Sequence, residues 1–304
     1  MTKKTQALIA VLLGNSIFGF SFLFSKLALE LTVPSVLIAV RFTAAFLVLN
    51  AVVLIGKNLK RADGSPLISF SLTGKPLRSV LLLALFQPVI YFMAENYGIL
   101  FTSSAFAGVI IAVIPIAGIV FDFLLLHSKA SRKQILCALC SVFGVALTTI
   151  GAKDMNSSVK GILVLLIAVI AGALFYVFSK QAAAHYNPLE RTYVMFGIGS
   201  ITYLIIALIQ CRGSYDTMIF SAFSHPVFWG AILYLAVFSS VIAFLLLNFG
   251  SGYISVSQAS LFANFTTVIS TLAGVLILHE SFTLPQFIGT AVILISVYFA
   301  GTQK

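Results

Sequence analysis

At 304 residues, with 60% hydrophobic and only 9% charged side chains and a mean hydropathy of +1.10, the chain is unlike a soluble domain, where about a quarter of residues are charged. It reads as an all-α integral membrane protein with no room for a soluble catalytic domain. The net charge of +10 would suggest nucleic acid in a soluble protein, but the basic residues fall in short segments between apolar runs, where they set orientation and meet anionic headgroups, which argues against nucleic-acid binding.

A helix needs about 20 mostly apolar residues to cross the hydrocarbon core. In chain order the candidates are 6–28, 35–56, 78–98, 103–126, 133–151, 159–181, 189–210, 227–248, 257–278 and 284–302, so ten transmembrane helices are expected. The first follows Lys3 and Lys4 as a signal peptide would, but it is too long for such a core and lacks a small-residue cleavage pattern, so it reads as a retained span. Runs such as Gly161 to Ala173 do not alternate apolar and polar residues, which argues against a β-barrel. Cys137 and Cys140 form a C-x-x-C inside an apolar run without histidine partners; with Cys211 they are too few for a disulfide framework and read as packing residues.

With the N-terminus inside, one side collects Lys3, Lys4, Lys57, Lys60, Arg61, Lys75, Arg78, Lys129, Arg132, Lys133, Lys180, Arg191 and Lys304, and the other keeps Lys26, Arg41, Lys153, Lys160 and Arg212. That asymmetry places both termini in the cytoplasm of a multi-pass protein of the cell (inner) membrane.

The stretch Val89 to His127 recurs at Val241 to His279, offset by 152 residues, with Phe92/Phe244, Asn96/Asn248, Gly98/Gly250, Ser103/Ser255 and His127/His279 coinciding. Phe24-Ser25-Lys26 before Pro34 recurs as Phe178-Ser179-Lys180 before Pro188, offset by 154. The chain thus divides into two five-helix halves, 6–151 and 159–302. Five is odd, so the halves enter the membrane from opposite sides, and such inverted repeats build secondary transporters with a substrate site near the midplane.

The order of these parts carries a resemblance. Lysine and proline around the first loop, Arg41 in the second helix, N-Y-G and T-S-S-A between the third and fourth, Pro115, then L-L-L-H-x-x-x-S-x-x-Q, and Leu278-His279-Glu280-Ser281 with Gln286 and Gly289, are similar to the EamA family of the drug/metabolite transporter superfamily. The pattern is departed from at Ser128, where the counterpart of Glu280 is lost, and at Ser296, opposite Gly144. The resemblance implies a ten-helix bundle that exports or exchanges amino acids and other small metabolites.

An ionised side chain at membrane depth costs roughly 3 kcal/mol or more unless it faces protein or water, so the few present are functional candidates. Glu95 stands where the other copy has Leu247, with Tyr91 at i−4 and Gln87 at i−8 as one polar stripe. Arg41 lies at a similar depth, which makes an ion pair with Glu95 possible. Three readings of Glu95 remain: a structural pair with Arg41, a counter-charge for a substrate amine, or a proton carrier. Asn15 and Asn264 are further cavity candidates because an amide both donates and accepts, whereas Ser16, Thr266 and Thr267 read as packing. Phe18, Phe22, Tyr91 and Tyr176 could enclose an apolar or cationic group. Asp122 is expected to pair at the interface near Lys129 and Arg132, Glu30, Glu190, Asp216 and Glu280 to be solvated, and His127 to mark a helix end. Pro88 and Pro115 are expected to interrupt spans and permit movement.

No H-E-x-x-H, P-loop or nucleophile elbow occurs. The expectation is a transporter and not an enzyme, without cofactor or metal, acting on a small molecule within the lipid bilayer as a monomer or homodimer. Export of amino acids by alternating access is the leading reading; import of an organic cation or sugar conjugate and a non-transporting scaffold are the alternatives.

Overall fold

The computed structural model describes residues 1–60, 65–102, 104–150, 158–215, 219–277 and 283–302; Arg61, Ser103, Lys153, Asp216, His279, Glu280, Ser281 and Lys304 lie outside the described residues. The chain is helical nearly throughout. It begins with α1 (Lys3–Leu29) and α2 (Pro34–Asn58). The third apolar stretch is assembled from α3 (Leu77–Ala84), a π-helical turn (Leu85–Ile90) and α4 (Tyr91–Phe101), and the fourth from α5 (Ser104–Ile111) and α6 (Ile114–Leu126). Then come α7 (Arg132–Thr149), α8 (Val159–Ala182), α9 (Pro188–Gln210) and the short α10 (Ser221–Phe223). The remainder is α11 (Pro226–Leu233), a second π-helical turn (Tyr234–Ile242), α12 (Ala243–Tyr253), α13 (Val256–Leu261), a 3-10 turn (Phe262–Asn264), α14 (Phe265–Ile277) and α15 (Leu284–Gly301).

Among the described residues, nine helical stretches are long and apolar enough to cross a membrane, one fewer than expected. The missing one is α7. It forms where a span was expected, but Arg132, Lys133 and Gln134 occupy its first turn and dilute its hydropathy.

Local chemistry accounts for the helix starts. Thr2, Ser158 and Ser255 accept from backbone N–H groups at the N-termini of α1, α8 and α13, and prolines open α2 and α9. The S-x-x-Q of the first half is a capping box: Ser131 Oγ accepts from the Gln134 N–H at 3.2 Å and Gln134 Oε1 accepts from the Ser131 N–H at 2.8 Å. At the corresponding place in the second half, Gln286 Oε1 accepts from the Thr283 N–H at 2.9 Å. His127 ends α6 in the left-handed conformation, φ 54°, its N–H donating back to Phe123.

Packing joins the halves through matched contacts. A methyl group on Gly98 of α4 would collide with Leu165 of α8, and one on Gly250 of α12 would collide with Val11 of α1. Both glycines are therefore points of helix contact. Gly144 and Gly289 bring the backbones of α7 and α15 together; Gly144 meets Ile293 while Thr148 meets Gly289, so the two helices run antiparallel.

One end of the bundle gathers the N-terminus, the α2–α3 loop and the α8–α9 and α12–α13 connections. Lys3 lies over Tyr253, Lys180 donates to the carbonyls of Gly252 and Ile254 at 3.1 and 3.0 Å, and Lys75 bonds Glu190. Glu190 is not solvated as expected: it is 2% exposed and also accepts from the N–H groups of Ser71 and Asn187, pinning the α2–α3 loop over the start of α9.

Candidate functional site

The two π-helical turns occupy equivalent places in the repeated stretch, yet only the first contains a proline. The second turn has Ser239 and Ser240 where the first has Gln87 and Pro88, and the break in helical backbone is recorded in the first, at Gln87. Widening the helix re-aims neighbouring groups. Gln87 adopts extended backbone angles (φ −145°, ψ 120°) and so leaves the expected stripe, while the Val89 carbonyl accepts from the Tyr203 hydroxyl at 2.8 Å.

Beyond the first turn the stripe holds. The Tyr91 hydroxyl donates to Glu95 Oε1 at 2.9 Å, as residues one helical turn apart can. Arg41, 6% exposed, does not form a direct ion pair with Glu95 among the described residues. Its Nε donates to Ser240 Oγ at 2.8 Å and its Nη2 to Ser239 Oγ at 2.9 Å. A helix of the first half is thereby forked onto the wide turn of the second. The guanidinium also lies over the rings of Phe42 and Phe92, 5.5 and 5.2 Å from their centroids.

Aromatic rings wall this region. Phe42 meets Phe92 and Phe196, Phe196 meets Phe244, and Phe244 meets Phe175 and Phe18, with centroids 5.2 to 5.9 Å apart. Tyr176 packs edge-on to Phe175, and Tyr91 lies against Gly172, one turn before Tyr176 on α8. The structure thus gathers Arg41, Tyr91, Glu95, Tyr176 and, through Phe244, Phe18 around one interior region.

Asn15 and Asn264 are held elsewhere. Asn15 donates to the Val11 carbonyl at 2.8 Å and accepts from Thr266 at 3.3 Å, tying α1 to α14. Asn264 donates to the Ala112 carbonyl at 3.1 Å and to Ser141 Oγ at 2.9 Å. Both amides bond across helices, as Thr266 does.

Sequence reasoning counted Arg191 with the basic residues of the cytoplasmic side and did not single it out as an interior group. It is 2% exposed and donates through Nη1 to the Ser179 carbonyl at 2.7 Å and through Nη2 to the Asn248 carbonyl, so backbone oxygens compensate its charge. The signal available was the repeated asparagine: Asn248 also donates to Thr192 at 3.0 Å, while among the described residues its counterpart Asn96 donates to its own helix, at Phe92.

A cavity of about 220 Å³ lies beside this region, lined by Pro34, Phe92, Asn96, Tyr97, Tyr203 and Gln210 among others. A larger cleft of about 980 Å³ opens at the opposite end, between α6, α7, α13 and the ends of α1 and α15.

Comparison with known proteins adds three findings. The profile of the EamA-like transporter family matches residues 5–150 and 159–302. The uncharacterized transporter YcxC of Bacillus subtilis is 31% identical over 97% of this chain and 92% of its own length, and an uncharacterized transporter of Archaeoglobus fulgidus is 23% identical over 97% and 99%. A protein of known crystal structure shares the fold with a TM-score of 0.78 at 18% identity, over 97% of this chain and 96% of that one.

Proposed function

The chain belongs to the EamA-like transporter family, and from that premise we propose that it is a secondary-active exporter of amino acids or related small metabolites working by alternating access. Its role as a membrane transporter follows from the family; substrate, direction and mechanism are the proposal. The observation that carries it is a guanidinium and a carboxyl group, Arg41 and Glu95, held within an aromatic wall with no direct ion pair between them among the described residues. A zwitterion has the complementary pair of charges, and interior charges that face a pathway are the ones a membrane protein retains.

The bundle is proposed to contain ten spans, with α7 the tenth, in two halves of opposite orientation. Supporting this are the exchanged contacts Gly98–Leu165 and Gly250–Val11 and the antiparallel pairing of α7 with α15. The basic end, with both termini, is assigned to the cytoplasm of the cell membrane by charge.

Purified protein in liposomes loaded with an equimolar mixture of the twenty amino acids provides the test. Release of a defined subset, identified by mass spectrometry and abolished in Arg41→Ala, is expected. Release of organic cations alone would favour the alternative cargo, and no flux of any loaded solute would favour a scaffold.

A further inference from the structure

Asp122 has surroundings that its sequence context does not suggest. It stands near the end of α6, close in sequence to Lys129 and Arg132, and was expected to pair with them. Instead it is 3% exposed, takes part in no ion pair among the described residues, and accepts from Ser257 Oγ of α13 at 3.3 Å. Ser128 also hydrogen-bonds the carboxylate, while the nearby Lys180 ammonium is engaged by the Gly252 and Ile254 carbonyls.

The carboxylate forms part of the wall of the 980 Å³ cleft, together with Ser257 and Gln258 of the second half. Lys4, Lys129 and Lys133 also line it; Lys129 and Lys133 are exposed and Lys4 is half-buried, so the cleft has a cationic rim around a single buried carboxylate. A purely anionic solute is drawn to the rim and repelled deeper in, and a purely cationic one meets the reverse. A solute carrying both charges satisfies both parts, since at low dielectric each charge gains from an opposite partner.

We propose that the cleft is the cytoplasmic docking site for a solute bearing both an ammonium and an anionic group, with Asp122 receiving the ammonium and Lys129 and Lys133 the anion. This rests on the transporter reading above and adds a second place on the path with the same charge complement as Arg41 and Glu95. A phosphatidylethanolamine headgroup has the same chemistry, and the apolar side chains Leu136 and Phe299 at the cleft wall are exposed, so the two sources are separated by experiment.

The test uses the full-length protein in phosphatidylcholine liposomes, with and without phosphatidylethanolamine. The released amino acid is compared with its decarboxylated and deaminated analogues, presented at the cleft face. For the amino acid, Asp122→Asn and the Lys129→Gln/Lys133→Gln double variant each raise KM about tenfold, the size of one lost charge-assisted bond, with kcat little changed; Asp122→Glu restores KM. For the decarboxylated amine the lysine variant lowers KM and Asp122→Asn raises it, and the deaminated acid behaves oppositely. A merely structural aspartate does not give these opposed signs. If Asp122→Asn does not fold, the exposed lysine pair carries the same test. Flux by the wild type with KM unchanged in the variants overturns the docking site alone; no amino-acid flux by the wild type overturns the transporter reading and this inference together. An effect present only with phosphatidylethanolamine assigns the cleft to lipid and also overturns it.

Discussion

The side-chain amide of Asn264 donates to the backbone carbonyl of Ala112 at 3.1 Å across 152 positions, the separation that relates the two repeated stretches of sequence. Each residue stands where its helix is interrupted, Ala112 between α5 and α6 and Asn264 in the 3-10 turn before α14. The interruptions therefore meet, and one supplies a donor to the other. Backbone freed at membrane depth requires such a partner.

Asn264→Ala removes this bond and the one to Ser141, leaving a buried carbonyl unpaired. The expected cost is about 1–2 kcal/mol, between the penalty for an orphaned buried group and the smaller average for polar contacts between membrane helices. Thermal unfolding in detergent should show the loss while KM stays at the wild-type value. A raised KM with unchanged stability would assign the amide to substrate instead.

The fork from Arg41 to Ser239 and Ser240 requires two donors in one plane, a geometry that guanidinium has and ammonium lacks. Arg41→Lys is expected to lose about nine-tenths of the flux despite keeping the charge. Ser239→Ala with Ser240→Ala frees the guanidinium to turn toward Glu95, and KM should rise about tenfold, the equivalent of one charged hydrogen bond. Wild-type kinetics in the double variant would reduce the fork to helix packing.

At Glu95 charge and hydrogen bond separate cleanly. Glu95→Gln still accepts from the Tyr91 hydroxyl but carries no charge, whereas Tyr91→Phe removes the bond and spares the charge. If the carboxylate faces a substrate ammonium, Glu95→Gln raises KM about tenfold or more and Tyr91→Phe by a few-fold only. Kinetics measured across pH give the remaining discrimination: affinity and pH dependence both unchanged in Glu95→Gln leave a structural role alone.

Much of this was legible in the sequence because it depends on local pattern. The spans follow from apolar length, the Tyr91–Glu95 bond from helical spacing, and His127 as a helix end from its place after the apolar run. What was not legible depends on which helices face each other. Nothing near Arg41 in sequence points to Ser239 and Ser240, about 200 positions away, and nothing near Asp122 points to Ser257. Arg191 was counted with the basic residues of the cytoplasmic side, and only the packing of α8, α9 and α12 supplies the carbonyls that bury it.

Movement between the halves can be tested where Tyr97 of α4 meets Gln210 of α9. Gln210 Nε2 donates to the Tyr97 hydroxyl, and both residues line the 220 Å³ cavity at the end opposite the 980 Å³ cleft. If alternating access opens the bundle at that end, the contact must break in each cycle. Cysteines at these two positions, with Cys137, Cys140 and Cys211 replaced by alanine, can be joined by a short cleavable bis-maleimide. Bridging should stop flux and cleavage of the bridge should restore it, with each single cysteine variant unaffected by the reagent. Binding of the solute from the cleft side should survive the bridge, because that end is left free. Undiminished flux through the bridged protein would exclude opening of α4 from α9 and require a path that leaves this contact closed.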